Sequence, residues 1–459
     1  MFGADNGASF GTASAQDVEE LNKALSTGST AYARGGDYGN ATPGGSPLRV
    51  ESLESTLKVT TFSERHIVFW KDIPKLPAFN TVEEFNQLNA YGNQGGFFVP
   101  EGIAPEPSDS SYARKVVQVK YLGTLRTVTH VMTLVRPAHG DVIALETMNG
   151  TRELLRTLEQ SLFKGNSACN PSEWDGIEKQ LTDGFGATDG VENVIDLRGN
   201  PIDEKTLGEG ARIIIDNYGF PTALHMPYSV MQDINALYLA TQRSMLPNQV
   251  TASGFNMAQF QAVGGTYDYK PNVFLKAGRV APAASVGNAA TIPALAGVTI
   301  AAGAPGADAA SKMTAATHVY SFTLENRFGE TAASGALSVT YTAGQSATIT
   351  VASIPASALA VNLFRTVSGS GVPAKFIKRI PVAAGSAVYV DQNLNLPGTS
   401  IAYLLQVDLD VMSFKQLAPF TKIPLATIDP SIRWMQLLYG TPAVYAPKKC
   451  VIIKNIGKA

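Results

Sequence analysis

The sequence predicts an α+β chain interrupted by a separate all-β domain, and two observations carry that reading. Between residues 141 and 245 helical, strand-like and helical periodicities alternate, as they do in a mixed α/β layer. From 282 to 403 the helical pattern stops, charge nearly vanishes, and about seven short alternating runs follow at turn-separated spacing. That is the pattern of an inserted β-sandwich of immunoglobulin or fibronectin type. The host then resumes over 404–459, from the run "YLLQVDLDVMSF".

Composition narrows the function. At 459 residues and 45% hydrophobic, the chain can bury a large core and is long enough for more than one folding unit. A net charge of -2 argues against a protein that holds nucleic acid by neutralising phosphates, since such binders carry a clustered basic excess. Cys169 and Cys450 are too few for a disulfide framework and lack the clustering of a zinc site. The start "MFGADNGASFGTASAQ" has no basic segment followed by an apolar run, and "IPALAGVTIAAGA" at 292–304 is too short to span a bilayer. The expectation is an intracellular product without a membrane.

Taken in order, residues 1–50 are rich in Gly, Ala, Ser and Thr around one helix-like piece, "AQDVEELNKAL". Such a segment cannot order itself, so contact with other subunits is its expected role. Residues 91–111, "YGNQGGFFVPEGIAPEPSDSS", form a long Gly- and Pro-rich excursion carrying Phe97 and Phe98, of the kind built to reach a partner. From Tyr112, alternating Val117, Val119 and Tyr121, a Leu122-Gly123-Thr124 turn, then Val128, His130, Met132 and Leu134 predict a long β-hairpin with His130 on its apolar face.

A helix of about six turns is predicted over 141–164, from the Asp141 N-cap, with Gly165 as its C-cap. Arg152 and Arg156 are a like-charge pair at four-residue spacing, with Glu159 available to Arg156; they read either as a solvated face or as a site for an acidic surface on a neighbour. Further helices are predicted at 203–219 and 228–245, on either side of the short apolar run "PTALHMP".

The sequence carries no recognisable catalytic or nucleotide-binding motif. "GFGATDG" at 184–190 lacks the third position of a dinucleotide fingerprint, and no P-loop, His-Glu-x-x-His or Gly-x-Ser-x-Gly motif occurs. Asp408-Leu409-Asp410 lacks the Gly and Glu of a calcium loop and reads as polar positions on a strand. His66, His130, His139, His225 and His318 are scattered without ligand spacing. No catalytic, cofactor-binding or metal-binding residue is assigned, and no enzyme is expected.

The segments "EQSLFKGNSACNPSEWDGI", "ARIIIDNYGFPTALHMPYSVMQDI" and "IRWMQLLYGTPAVYAPKKCVIIKNI", in this order after a β-arm and a long helix, resemble the major capsid protein of tailed bacteriophages, the Hong Kong 97-type fold. The resemblance covers the chain outside the insertion and rests on element order and a loose motif. It implies an N-terminal arm at 1–70 and a capsid core over 71–281, with an extended loop at about 88–125 lying over an adjacent subunit. The core would also hold a peripheral domain with a spine helix at 141–164 and an axial domain from about 203. Residues 282–403 would be an outward immunoglobulin-like insertion, and 404–459 the return to the core. Glu159, Leu162, Gly165, Pro171 and Gly176 match the family's spine-helix exit. Phe97, Phe98, Arg152, Arg156 and Glu159 become candidate subunit contacts.

By the same resemblance the partners would be copies of the chain in hexamers and pentamers, with portal, scaffold and decoration proteins, around double-stranded DNA bound without sequence specificity. The location would be the virion capsid, assembled in the bacterial host cytoplasm. The chain shows no long acidic coiled-coil prelude, which implies a separate scaffold or none. Some relatives crosslink subunits through Lys and Asn; no such triad matches here, and Lys115, Lys120 and Asn455 are the nearest candidates. The alternatives are an encapsulin-like compartment and, third, a surface or tail adhesion protein.

Overall fold

The computed structural model describes residues 63–92, 98–104, 107–135, 140–185, 193–242, 257–287, 290–368, 372–426 and 429–458. The 1–62 segment, Phe97, His139, the "GFGATDG" loop from its third residue on and the end of the helix expected to reach 245 lie outside them. Cα packing separates Met1–Thr60 with Val135–Val142 from the unit formed by Thr61–Leu134 and Ile143–Ala459. Nearly everything described belongs to the second unit, which is mixed α+β with more sheet than helix.

The core is organised around the run Ser400–Leu405. It lies inside a six-stranded sheet ordered Val194–Asp196, Val451–Ile456, Ser400–Leu405, Ala223–Met226, Gly265–Pro271 and Gln259–Ala262. Tyr403 pairs with Ile452 on one side and His225 on the other. Ala402 and Leu404 point into a cluster with Ala211, Ile214 and Val230, whereas Tyr403 and Leu405 point into a second cluster with Leu158, Leu162 and Phe163. A strand covered on both faces can be apolar without alternation, as "SIAYLL" is. This corrects the expected limit of the insertion: residues 400–403 are a central strand of the host, so the inserted sandwich ends before Ser400.

Helices Glu204–Asp216 and Tyr228–Gln242 cover one face of this sheet. Asp203 caps the first, its carboxylate accepting from the Thr206 N–H at 2.8 Å. The other face receives the helix Val142–Lys164, whose Leu154, Leu158 and Leu162 recur at four-residue spacing and are buried. Each such leucine contributes about 1.5–3 kcal/mol on burial.

A four-stranded sheet, ordered Lys75–Pro77, Met412–Pro424, Ser431–Val444 and Lys120–Thr129, lies beside that helix. The Gln436 side-chain amide on its long central strand donates to the Thr147 carbonyl at 2.7 Å. Here the expected 112–134 hairpin is corrected. Ser111–Gln118 and Lys120–Thr129 follow each other in sequence but do not pair; the first pairs with Val82–Ala90 and the second with Ser431–Val444. Gly123 is no turn: the strand runs through it, and a Cβ there would lie 2.4 Å from Leu437 Cδ2. His130–Leu134 is a short helix and His130 is exposed, not on a buried strand face. Asp408, Leu409 and Asp410 likewise form a turn rather than strand positions.

Between residues 286 and 391 the chain builds two sheets that face each other. One contains Ala316–Asn326, Ser334–Tyr341, Ala360–Arg365 and Lys375–Pro381, with the short strands Val286–Gly287 and Gly329–Glu330. The other contains Thr299–Ala302, Gly306–Ala307, Gln345–Ala352 and Ala387–Asp391. Tyr320, Phe322 and Leu324 from the first meet Ala347, Ile349 and Val351 from the second in one apolar core. The Arg365 guanidinium is buried in it, donating to Asp391 Oδ2 at 2.5 Å, and the Tyr320 hydroxyl donates to the same oxygen at 2.7 Å.

Candidate subunit interface

The exit of the long helix is built on two glycines in direct contact. The Gly176 N–H donates to the Gly165 carbonyl at 2.9 Å. A Cβ on Gly165 would stand 2.5 Å from the Trp174 carbonyl oxygen, and one on Gly176 would stand 2.7 Å from that of Phe163. Gly165 is therefore required by close backbone approach; it does not adopt the left-handed conformation of a glycine C-cap. Side chains then hold the loop: Asp175 accepts from the Ser167 N–H at 2.9 Å, and Asn166 from the Ala168 N–H at 3.0 Å. Pro171 is exposed at the tip, where its carbonyl accepts from the Lys120 ammonium at 2.8 Å. Trp174 folds underneath, edge-on to Phe414 at 5.8 Å.

Glu159 is 0% exposed, so its carboxylate has no surface to offer a neighbour. One oxygen accepts from the Val68 N–H at 3.2 Å, the Phe69 N–H at 2.8 Å and the Asn272 amide at 2.7 Å; the other accepts from the Trp70 N–H at 2.9 Å. It ties the long helix to the short helix Phe69–Asp72, at whose start the unpaired N–H groups need acceptors. Burial raises its carboxyl pKa, against the pull of these hydrogen bonds. The local partnership expected between Glu159 and Arg156 is not formed, because the carboxylate is engaged inside; Arg156 is exposed. Arg152 is half-buried and lies 3.7 Å from Glu64.

The two-stranded sheet of Val82–Ala90 and Ser111–Gln118 is fastened at its base, where Phe85 meets Tyr445 edge-on at 4.9 Å. Beyond that it is open. Phe98 is 102% exposed, and Leu88, Tyr91, Ile103, Tyr112 and Val116 are exposed as well. A lone two-stranded ribbon is marginal in water, and this one leaves several large apolar side chains uncovered. The candidate contacts are thus not brought together: Phe98 is on the hairpin, Arg152 and Arg156 on the helix, and Glu159 is in the core.

The crosslink candidates separate in the same way. Lys115 is exposed on the hairpin. Asn455 is 3% exposed, and its amide donates to Asp196 Oδ1 at 2.7 Å and the Leu394 carbonyl at 2.9 Å while its oxygen accepts from the Leu396 N–H at 2.9 Å. It is a staple between strands and is closed to an incoming amine, which corrects its candidacy.

One residue that sequence reasoning missed is Arg379, on the sandwich strand Lys375–Pro381. Its guanidinium donates to Glu173 of the helix-exit loop at 2.7 and 3.2 Å and to Glu325 of the sandwich at 2.8 Å. The sandwich is therefore clamped to the host at the helix exit. The sequence signal was slight: a carboxylate inside the punctuated turn with no local cation.

Among the described residues, no group of three or more His, Cys, Asp or Glu side chains could hold a metal, and no helix is long and apolar enough to cross a membrane. Cys169 and Cys450 are free and buried, and burial pushes the Cys450 thiol up to about 12. His225 is fully buried between Phe69 and Phe163, ring centroids 5.0 and 5.7 Å away.

No family model matches the chain. It is 28% identical over 436 residues to the major capsid proteins of Staphylococcus phage S25-3 and Staphylococcus phage K, with 89% of this chain and 90% of each relative covered. Among solved structures it is similar to the capsid of a native GTA particle computed with C5 symmetry, with a TM-score of 0.48, 6% identity, and 90% of this chain and 97% of that chain covered.

Proposed function

We propose that this chain is a bacteriophage major capsid protein, a subunit that assembles with copies of itself into an icosahedral shell in the virion. The observation that carries the reading is the match to phage major capsid proteins over 436 residues, nearly end to end on both sides. A shared single domain would leave most of one partner unmatched. The subunit's own surface supports it, because the hairpin at 82–118 exposes large apolar side chains of the kind that subunit contacts cover.

The finer assignment is the Hong Kong 97-type fold. Residues 1–70 form the N-terminal arm, the hairpin is the extended loop, the helix Val142–Lys164 is the spine of a peripheral domain, and the sheet with helices Glu204–Asp216 and Tyr228–Gln242 belongs to the axial domain. The sandwich is an immunoglobulin-like domain on the outer surface. Repetition by symmetry makes modest contacts strong collectively. Hexamers and pentamers form in the host cytoplasm, with portal, scaffold and decoration proteins as partners. The shell encloses double-stranded DNA, and a net charge of -2 suits a wall that surrounds DNA without condensing it. No catalytic step is assigned.

Sedimentation velocity of the chain expressed alone and with phage scaffold tests this. Rings or shells far heavier than the 48.6 kDa subunit are expected. A monomer under both conditions would overturn the reading, and shells filled with a host enzyme instead of DNA would favour an encapsulin-like compartment.

A further inference from the structure

The surface carries a groove with an unmatched charge. It has a volume of about 470 Å³ and is lined by Tyr228, Val273, Lys276, Lys375, Ile456 and Lys458 among others, with no Asp or Glu in its lining. None of the three lysines has an ion-pair partner among the described residues. Tyr228 is 52% and Val273 38% exposed, so apolar surface stands uncovered beside the ammonium groups. Three like charges around an apolar floor repel one another, and an occupant with both acidic and apolar groups relieves both costs.

The chain contains a segment of that character. Between Tyr91 and Tyr112 the sequence carries Glu101, Glu106 and Asp109 and no Lys or Arg. In its described part Phe98 is 102%, Ile103 59% and Val99 40% exposed. Glu101 and Asp109 have no ion-pair partner among the described residues. We infer that the three-lysine groove of one subunit seats the acidic, apolar tip of the hairpin from a second copy of this chain. The inference rests on the shell reading and names the seat that reading leaves open. Nucleic acid fits less well, since a recess with an apolar floor and three cations gives a phosphate backbone no extended basic track.

Two experiments on the full-length chain test the seat. In the first, Ile103→Cys and Val273→Cys are combined and assembled particles are oxidised mildly; Cys169 and Cys450, both 0% exposed, do not compete. A ladder of covalent oligomers that neither single variant gives is expected, and assembled particles without a ladder would overturn the inference. In the second, Lys276→Glu, Lys375→Glu and Lys458→Glu are made together and should lower particle yield at least tenfold, with recovery when Glu101→Lys and Asp109→Lys are added. Wild-type yield from the triple variant, or a loss that the acidic-to-basic changes do not repair, would refute the seat and leave the shell reading intact. A triple variant whose only defect is loss of enclosed DNA would assign the groove to phosphate instead. Failure of the wild type to assemble would count against the shell reading and the seat together.

Discussion

Gly165 and Gly176 touch backbone to backbone, the Gly176 N–H on the Gly165 carbonyl at 2.9 Å, with no room for a Cβ on either. The contact closes the loop formed by residues 166–175 at the end of the long helix, so the chain leaves that helix along a defined path. Gly165→Ala and Gly176→Ala each force a methyl group against backbone oxygens and should cost about 1–3 kcal/mol. Urea denaturation reads this as a lower midpoint at unchanged slope; an unchanged midpoint would mean that the loop relaxes freely.

Arg379 is the guanidinium between Glu173 and Glu325, so its removal leaves two carboxylates facing each other across the junction of sandwich and host. Arg379→Ala is expected to destabilise by about 1–3 kcal/mol and to speed amide exchange at residues 165–176. Equal exchange in variant and wild type would show that the clamp is not holding the loop.

Glu159→Gln keeps the side-chain size but replaces one acceptor oxygen with an NH₂ group. Either Trp70 or the Val68 and Phe69 amides must then face a donor, since all three now bond to the carboxylate. A loss of about 1–3 kcal/mol is expected in thermal or chemical unfolding. A neutral result would show that the short helix Phe69–Asp72 does not depend on this residue.

Burial pushes the His225 imidazole down to about 3, with the nearby Lys270 charge adding to the effect. In the unfolded chain it titrates near the ordinary value of about 6.5. Between those two values the unfolded state binds a proton that the native state does not. Stability therefore falls as pH drops from about 6.5 towards 3, by on the order of 5 kcal/mol over the whole window. His225→Leu should remove this part of the slope, so that its urea midpoint changes less than the wild type's between pH 7 and pH 4.5. Parallel midpoints for the two proteins would contradict the buried, neutral imidazole.

Local periodicity was legible wherever one element's burial follows its own repeat. Leu154, Leu158 and Leu162 announce the long helix, and Tyr320, Phe322 and Leu324 announce a sandwich strand. Pairing between distant segments was not legible. Lys120–Thr129 finds its partner some three hundred residues away in Ser431–Val444, and Gly123, which that close approach requires, looks in the sequence like a turn. The end of the insertion was hidden for another reason: a doubly covered host strand, "SIAYLL", is as short as the sandwich strands before it and has no helical periodicity to mark the return to the host. At the candidate interface, an acid on the apolar stripe beside Leu158 and Leu162 was the available sign that Glu159 is engaged internally. Its partners at 68–70 and 272 were beyond any local pattern.

The most direct measurement is cryo-electron microscopy of the particles formed by this chain. The account predicts an icosahedral lattice in which each subunit's 82–118 hairpin lies on a neighbouring copy and the sandwich faces outwards. Subunits that remain monodisperse monomers in the presence of scaffold, or a lattice in which the hairpin contacts no neighbour, would contradict it.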